Sequence, residues 1–239
     1  MAHDDSESFD SIDPVASARR SHRPPKDFVA GAILNKPPGF VSTRKEANPR
    51  NRPSVYACLP KGWDTPERPL GHCGRLDLES SGLLLFTDDG LLQQALLNSA
   101  FKHVASGDAE LTPVKKVYHV KTPGKVDSLV LDALMEPLLM GGHQAKKTVE
   151  TAPAHVVVLE QGQAGTWLEF TIREGRNRQI RRLCGRSRLP VDVLRRVQFG
   201  PLILGDLAEG QSRCLTQEEI NTCYAEALPG VKVPTLVGL

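Results

Sequence analysis

Two periods organise the apolar residues of this chain. From Leu83 to Phe86 they run without interruption, between Ser80-Ser81-Gly82 and the turn-forming Asp88-Asp89-Gly90. A short apolar run bounded by breakers predicts a strand buried on both faces. Elsewhere the period is two. Residues 117–121 alternate, which places Tyr118 and His119 on opposite faces of a strand. In residues 166–172, Trp167, Glu169 and Thr171 take one side and Leu168, Phe170 and Ile172 the other; with residues 154–160 and the link 161–165 this predicts a hairpin. Residues 28–34 are predicted as the first strand.

Helical spacing appears three times. Leu91, Leu92, Ala95, Leu96 and Leu97 predict a half-buried helix that starts near Asp89. Residues 127–135 predict a second, stopped by Gly141-Gly142. The third is expected after Asn177 as N-cap, with Ile180, Leu183 and Cys184 facing inward and Arg178, Arg181, Arg182 and Arg186 on the other side. The loop-rich, basic region 43–69 holds only one short helical turn, around Val55, Tyr56 and Leu59. Residues 1–27, acidic and then basic, have no apolar periodicity and are predicted to be a disordered tail. Residues 28–228 form one domain in this reading, with a long loop at 101–116, and 229–239 form a C-terminal tail. Periodicity alone supports mixed α and β structure and no finer class.

Charge adds a direction. The net charge of +2 does not by itself point to a polyanion. Between Arg173 and Arg196, however, nine arginines face only Glu174 and Asp192, a local +7 that leaves the remainder acidic. Such segregation predicts one face built for phosphates. The five cysteines (Cys58, Cys73, Cys184, Cys214 and Cys223) are odd in number and include no C-x-x-C pair. They predict free thiols in a reducing compartment, with neither a disulfide framework nor a zinc site. No apolar run reaches the length of a membrane span, and the N-terminus lacks the apolar core of a signal peptide, so a cytoplasmic protein is expected, a nuclear or organellar one being the alternative. Walker loops, dinucleotide fingerprints and metal clusters are missing, so the chemistry is expected to need no cofactor and no metal.

Two stretches carry candidate chemistry. In the first, Gly74-Arg75-Leu76-Asp77, the Arg and Asp sit between Gly74 and Gly82, directly before the buried strand. A charged loop on the end of such a strand is rigidly placed and still accessible. The second is Glu174-Gly175-Arg176-Asn177-Arg178-Gln179-Ile180-Arg181-Arg182-Leu183-Cys184. Its arginine face lacks the acidic partners that intrahelical pairing would need, which favours phosphate binding. GRLD followed by SSGLLLFTDDG, the earlier LNKPPGFVST, the K-x-Y-x-V of Lys116, Tyr118 and Val120, and EGRNRQIRRLC together resemble the motifs of the RsuA-like pseudouridine synthases. That group modifies ribosomal RNA. The resemblance extends from about Ile33 to Glu219.

The resemblance implies an α+β fold: a mixed, mainly antiparallel, bifurcated sheet in two lobes, with flanking helices and a central cleft. It implies Asp77 as the catalytic residue, Tyr118 packed on the base, and Arg181 as its basic partner, with Arg176 as second choice. RNA contacts are expected at Arg75, Lys36, Arg176, Asn177, Arg178, Gln179, Arg182 and Arg186. The reaction breaks the N1 glycosidic bond of uridine, turns the uracil and rejoins it through C5. An aspartate is ionised at neutral pH and suits the part of nucleophile or base, and the target uridine must leave its stack to reach a loop-borne group. Many relatives carry an S4-type RNA-binding domain for which this chain has no room, so it resembles a short, monomeric, catalytic-domain form. Ribosomal RNA is the expected partner, large subunit ahead of small, with transfer RNA second. A non-catalytic RNA-binding or ribosome-assembly protein would share the basic helix without requiring Asp77. An N-glycosidic hydrolase would need a second carboxylate to activate water.

Overall fold

The computed structural model describes residues 31–44, 52–97, 113–141 and 148–234. The tail predicted at 1–27 and most of the loop predicted at 101–116 lie outside them. In chain order the elements are β1 (Ala32–Lys36), a 3-10 turn (Val55–Cys58), β2 (Gly71–Cys73), β3 (Ser81–Thr87), α1 (Gly90–Leu97), β4 (Lys116–Thr122), α2 (Ser128–Met135), β5 (Leu139–Met140), β6 (Val149–Glu150), β7 (His155–Gly162), β8 (Gly165–Ile172), α3 (Gln179–Arg186), β9 (Val193–Phe199), β10 (Leu202–Ile203), β11 (Ser212–Cys214) and α4 (Gln217–Ala227).

The local causes are readable. Asp89 Oδ1 accepts from the amides of Leu91 and Leu92 at 2.8 and 3.0 Å and so starts α1. Asp127 does the same for α2 through Val130. That helix stops at Met135, well before the predicted Gly141-Gly142, because Glu136 precedes Pro137 and takes the extended conformation (φ −66, ψ 144) that a following proline favours. The hairpin closes more tightly than predicted: β7 and β8 continue until only Gln163 and Ala164 link them. Thr216 and Glu219 form a reciprocal capping box at the start of α4.

Among the described residues nine strands form one sheet in the order β11-β1-β3-β9-β4-β8-β7, with β2 added to β3 and β10 to β9. Every pair is antiparallel except β3 with β9, which run parallel through two registered pairs, Ser81 with Arg195 and Gly82 with Arg196. Beyond this contact the two strands diverge, and each acquires a short partner: β2 on β3, β10 on β9. The sheet therefore forks into two lobes. Gly82 is the enabling residue. Its φ is +103, and a Cβ there would lie 2.2 Å from the carbonyl oxygen of Arg196.

Both faces of β1 and β3 are covered, which accounts for the unbroken apolar run. Leu34, Leu84 and Phe86 join one core with Tyr118, Leu168, Phe170, Ile180 and Leu183. Ile33, Leu83 and Leu85 join a second, roofed by α1 and α4, against which Val231 and Val233 also pack. No helix among the described residues is long and apolar enough to cross a membrane. The prediction from this packing concerns the fork. Gly82→Ala places a methyl against the backbone of β9 in a conformation that alanine resists, and is expected to cost about 3 kcal/mol or more in urea unfolding. An unchanged midpoint would show that the strands can separate freely.

Candidate active site

Asp77 sits on a loop held from below by residues that follow β1. The Ser42 hydroxyl donates to the carbonyl of Leu76 at 3.0 Å and accepts from its amide at 3.2 Å. The Gly39 amide donates to the carbonyl of Leu78, and the Ser80 amide closes the turn onto the carbonyl of Asp77. Beneath them lies Lys36, fully buried, whose Nζ donates to the carbonyls of Ser80 at 2.7 Å, Pro37 at 2.9 Å and Leu78 at 3.3 Å. Three ammonium protons meet three carbonyls. Burial pushes the pKa of Lys36 down to about 8, while the nearby Cys58, Asp77, Glu209 and Glu79 act in the opposite direction. The contact to the RNA backbone expected at Lys36 is therefore corrected: the side chain points into the protein and fastens the Asp77 loop.

The opposite wall is the turn into α3. Glu174 is its hub. One carboxylate oxygen accepts from the Ala152 amide and from Gln179 Nε2, and the other from Arg176 Nε at 2.8 Å. Gln179 also accepts from the Arg176 amide, so both ends of its buried side chain are committed to the turn and not to RNA as expected. Asn177 is not the N-cap. Arg178 occupies that position with left-handed backbone (φ 53), leaving Asn177 exposed on the rim. At the other end Arg188 takes the same conformation and helps to close the helix, its amide donating to the carbonyl of Gly185.

Between these walls lies a cavity of about 540 Å³ lined by Ser42, Arg75, Leu76, Asp77, Tyr118, Ile172, Arg176, Asn177, Arg178 and Leu194, among others. Its size falls within the usual range for small-molecule sites. The side chain of Asp77 is 26% exposed. Two guanidinium groups attend it: Arg178 Nη1 at 3.6 Å and Arg181 Nε at 3.9 Å. Both distances are those of ion pairs and too long for hydrogen bonds. Arg181 Nε is buried and has no hydrogen-bond partner among the described residues. Tyr118, buried, contributes its ring from β4.

Several arginines of the cluster are structural, which corrects the reading of the whole +7 segment as a phosphate face. Arg186 Nη1 and Nη2 donate to the carbonyls of Pro137, Ala133 and Glu136 at the end of α2, where backbone acceptors lack helical partners. Arg196 is 2% exposed, donates to the carbonyl of Leu83 and lies over the Phe199 ring. Arg176 pairs with Glu174. Arg75, Arg182 and Arg188 are exposed. Charge counting along a sequence does not separate such uses, because a guanidinium satisfied by carbonyls needs no acid nearby in the chain. Ser42 and Glu174 lie within the quoted motifs, but the sequence assigns neither a role, because their partners Leu76 and Ala152 are distant in the chain.

A sequence profile described as RNA pseudouridylate synthase matches residues 31–185, and the chain belongs to that family. Ribosomal large subunit pseudouridine synthase B of Pseudomonas aeruginosa is 31% identical over 87% of this chain and 48% of its own length. An uncharacterized RNA pseudouridine synthase of Mycobacterium leprae is 32% identical over 84% of this chain and 70% of its own. Among solved structures, a pseudouridylate synthase aligns with a TM-score of 0.61 at 28% identity, over 81% of this chain and 73% of that one. The chain thus spans about half the length of the P. aeruginosa relative. The forked α+β sheet is the fold of this family.

The support under Asp77 is testable. Lys36→Met strands three carbonyls and is expected to cost about 2–4 kcal/mol. The sign with pH follows from a folded pKa below the unfolded 10.5: above about 8 the unfolded chain keeps a proton that the folded one lacks. Wild-type stability should therefore rise relative to Lys36→Met as pH climbs from about 8 towards 10.5. Urea midpoints of both proteins at either end of that window check it, and a constant difference would contradict the buried ammonium.

Proposed function

We propose that this chain isomerises uridine to pseudouridine in structured RNA, with ribosomal RNA ahead of transfer RNA as substrate and the large subunit favoured. The observation that carries the proposal is the convergence of Asp77 and Tyr118 on one cavity with Arg181 Nε behind the carboxylate. The relatives named for ribosomal large subunit pseudouridine synthase activity point the same way.

In this reading a uridine swings out of its stack into the cavity. Asp77 attacks or deprotonates it, with the Arg181 guanidinium facing the carboxylate at 3.9 Å. As the glycosidic bond breaks, the detached uracil must stay in place and turn. Tyr118 packs against the ring, with Leu76, Ile172 and Leu194 as apolar walls that keep water away. Arg75, exposed on the rim of the cavity, supports the displaced strand. A protein that only bound RNA would gain nothing from a carboxylate facing the incoming polyanion, since that charge weakens binding. Its presence in the cavity favours catalysis.

Asp77→Asn should lower tritium release from C5-labelled uridine in RNA transcripts by about a thousandfold or more while RNA affinity stays within a few-fold of wild type. Substantial residual release would remove Asp77 from its role. A second comparison separates binding arginines from structural ones. Arg182→Ala should reduce the slope of log Kd against log salt by about 1, whereas Arg186→Ala should lower thermal stability and leave that slope unchanged. The reverse pattern would show that α3 presents a different face to RNA.

A further inference from the structure

Arg178 joins the two walls of the cavity at its mouth. Its Nη1 lies 3.1 Å from Glu79 Oε2 and 3.6 Å from Asp77 Oδ2. The hydrogen bond is to Glu79; Asp77 receives only the longer electrostatic contact. Glu79 belongs to the loop entering β3, and Arg178 to the turn entering α3, 99 residues further along the chain. Both side chains are largely exposed, at 56% and 44%, whereas Asp77 lies deeper. Arg178 also holds a left-handed backbone that arginine adopts at some cost. The Glu79 carboxyl is held below its usual range by its own backbone amide and by the Arg178 guanidinium.

We propose that Glu79 is a displaceable counterion for Arg178: it keeps the guanidinium across the mouth of the empty cleft and yields it to an RNA phosphate when the target strand docks. The proposal rests on the reading of this cleft as an RNA site. Exposed ion pairs contribute little, so the exchange is nearly balanced. A phosphate offers oxygens in the geometry that an Arg fork takes at two points, and wins locally. The Glu79 pair must break for this, and that cost lowers affinity only while Arg178 is present. In the free protein the same carboxylate takes the Arg178 hydrogen bond, leaving Asp77 with ion pairs at 3.6 and 3.9 Å and a hydrogen bond to neither guanidinium. Glu79 is thus a positioning residue, acting through Arg178.

The experiment is a double-mutant cycle at constant salt. Dissociation constants for a short fluorescein-labelled RNA hairpin with a uridine loop are measured for wild type, Glu79→Gln, Arg178→Ala and the double variant. Glu79→Gln should tighten binding about two- to fivefold, the scale of one exposed ion pair, and the gain should vanish when Arg178 is already alanine. Equal tightening in both backgrounds would reduce Glu79 to a general repulsive charge and overturn the proposal, as would unchanged or weaker binding in Glu79→Gln. Because affinity is read without turnover, failure here with tritium release intact rejects the counterion alone. Absence of release from wild type would instead reject the synthase reading.

Discussion

Between Gly82 and Arg196 two strands pass so closely that no side chain fits between their backbones. Among the described residues this contact is the one parallel pairing in the sheet, and it is where the two lobes meet. Immediately before it comes the loop that carries Asp77. Immediately beside it, Arg196 is buried with its guanidinium over Phe199 and its Nε on the carbonyl of Leu83, a line of contact from β9 to β3. Among the described residues this buried charge has no carboxylate partner, and the Leu83 carbonyl and the Phe199 ring replace part of its water. The approach of the strands therefore also shapes the cleft: it sets how far the Asp77 loop stands from the turn into α3.

Within that frame the Asp77 loop is held through its backbone carbonyls as well as by the packing of Leu76. Lys36 and Ser42, six residues apart, together engage Leu76, Leu78 and Ser80, the positions that flank Asp77. Fixing the main chain leaves the Asp77 side chain accessible, as the proposed attack on a uridine requires. The other wall is organised by one carboxylate, Glu174, which engages Ala152, Arg176 and Gln179. Two independent supports, one cationic and one anionic, thus hold the halves of a site that ion pairs at Asp77 and Glu79 join across the cleft.

Much of the scaffold could be read along the chain. The apolar run Leu83–Phe86 is a fully buried strand, the alternation of residues 166–172 matches the two faces of β8, and Ile180, Leu183 and Cys184 pack inward. These succeed because each depends on a period of two or of 3.6 and on nothing distant. The start of α1 at Asp89 succeeds for the same local reason. Asn177 fails as a cap because a left-handed Arg178 intervenes, a conformation that residue type does not announce. Arg186 and Gln179 fail as RNA contacts because carbonyls and a carboxylate, from residues 5 to 53 positions away, occupy their donors first.

By itself the sequence determined the chemistry available: a lone aspartate between glycines, arginines in one segment, a tyrosine on a strand, and motifs in the order this family uses. It also determined which strands are buried, since periodicity is a local property. Only the tertiary structure decided which charges are spent within the fold and which remain for a substrate. That choice depends on which carbonyls and carboxylates come within hydrogen-bond reach. Lys36 meets Ser80 across 44 residues, and Arg178 meets Glu79 across 99, through approaches that no local pattern encodes.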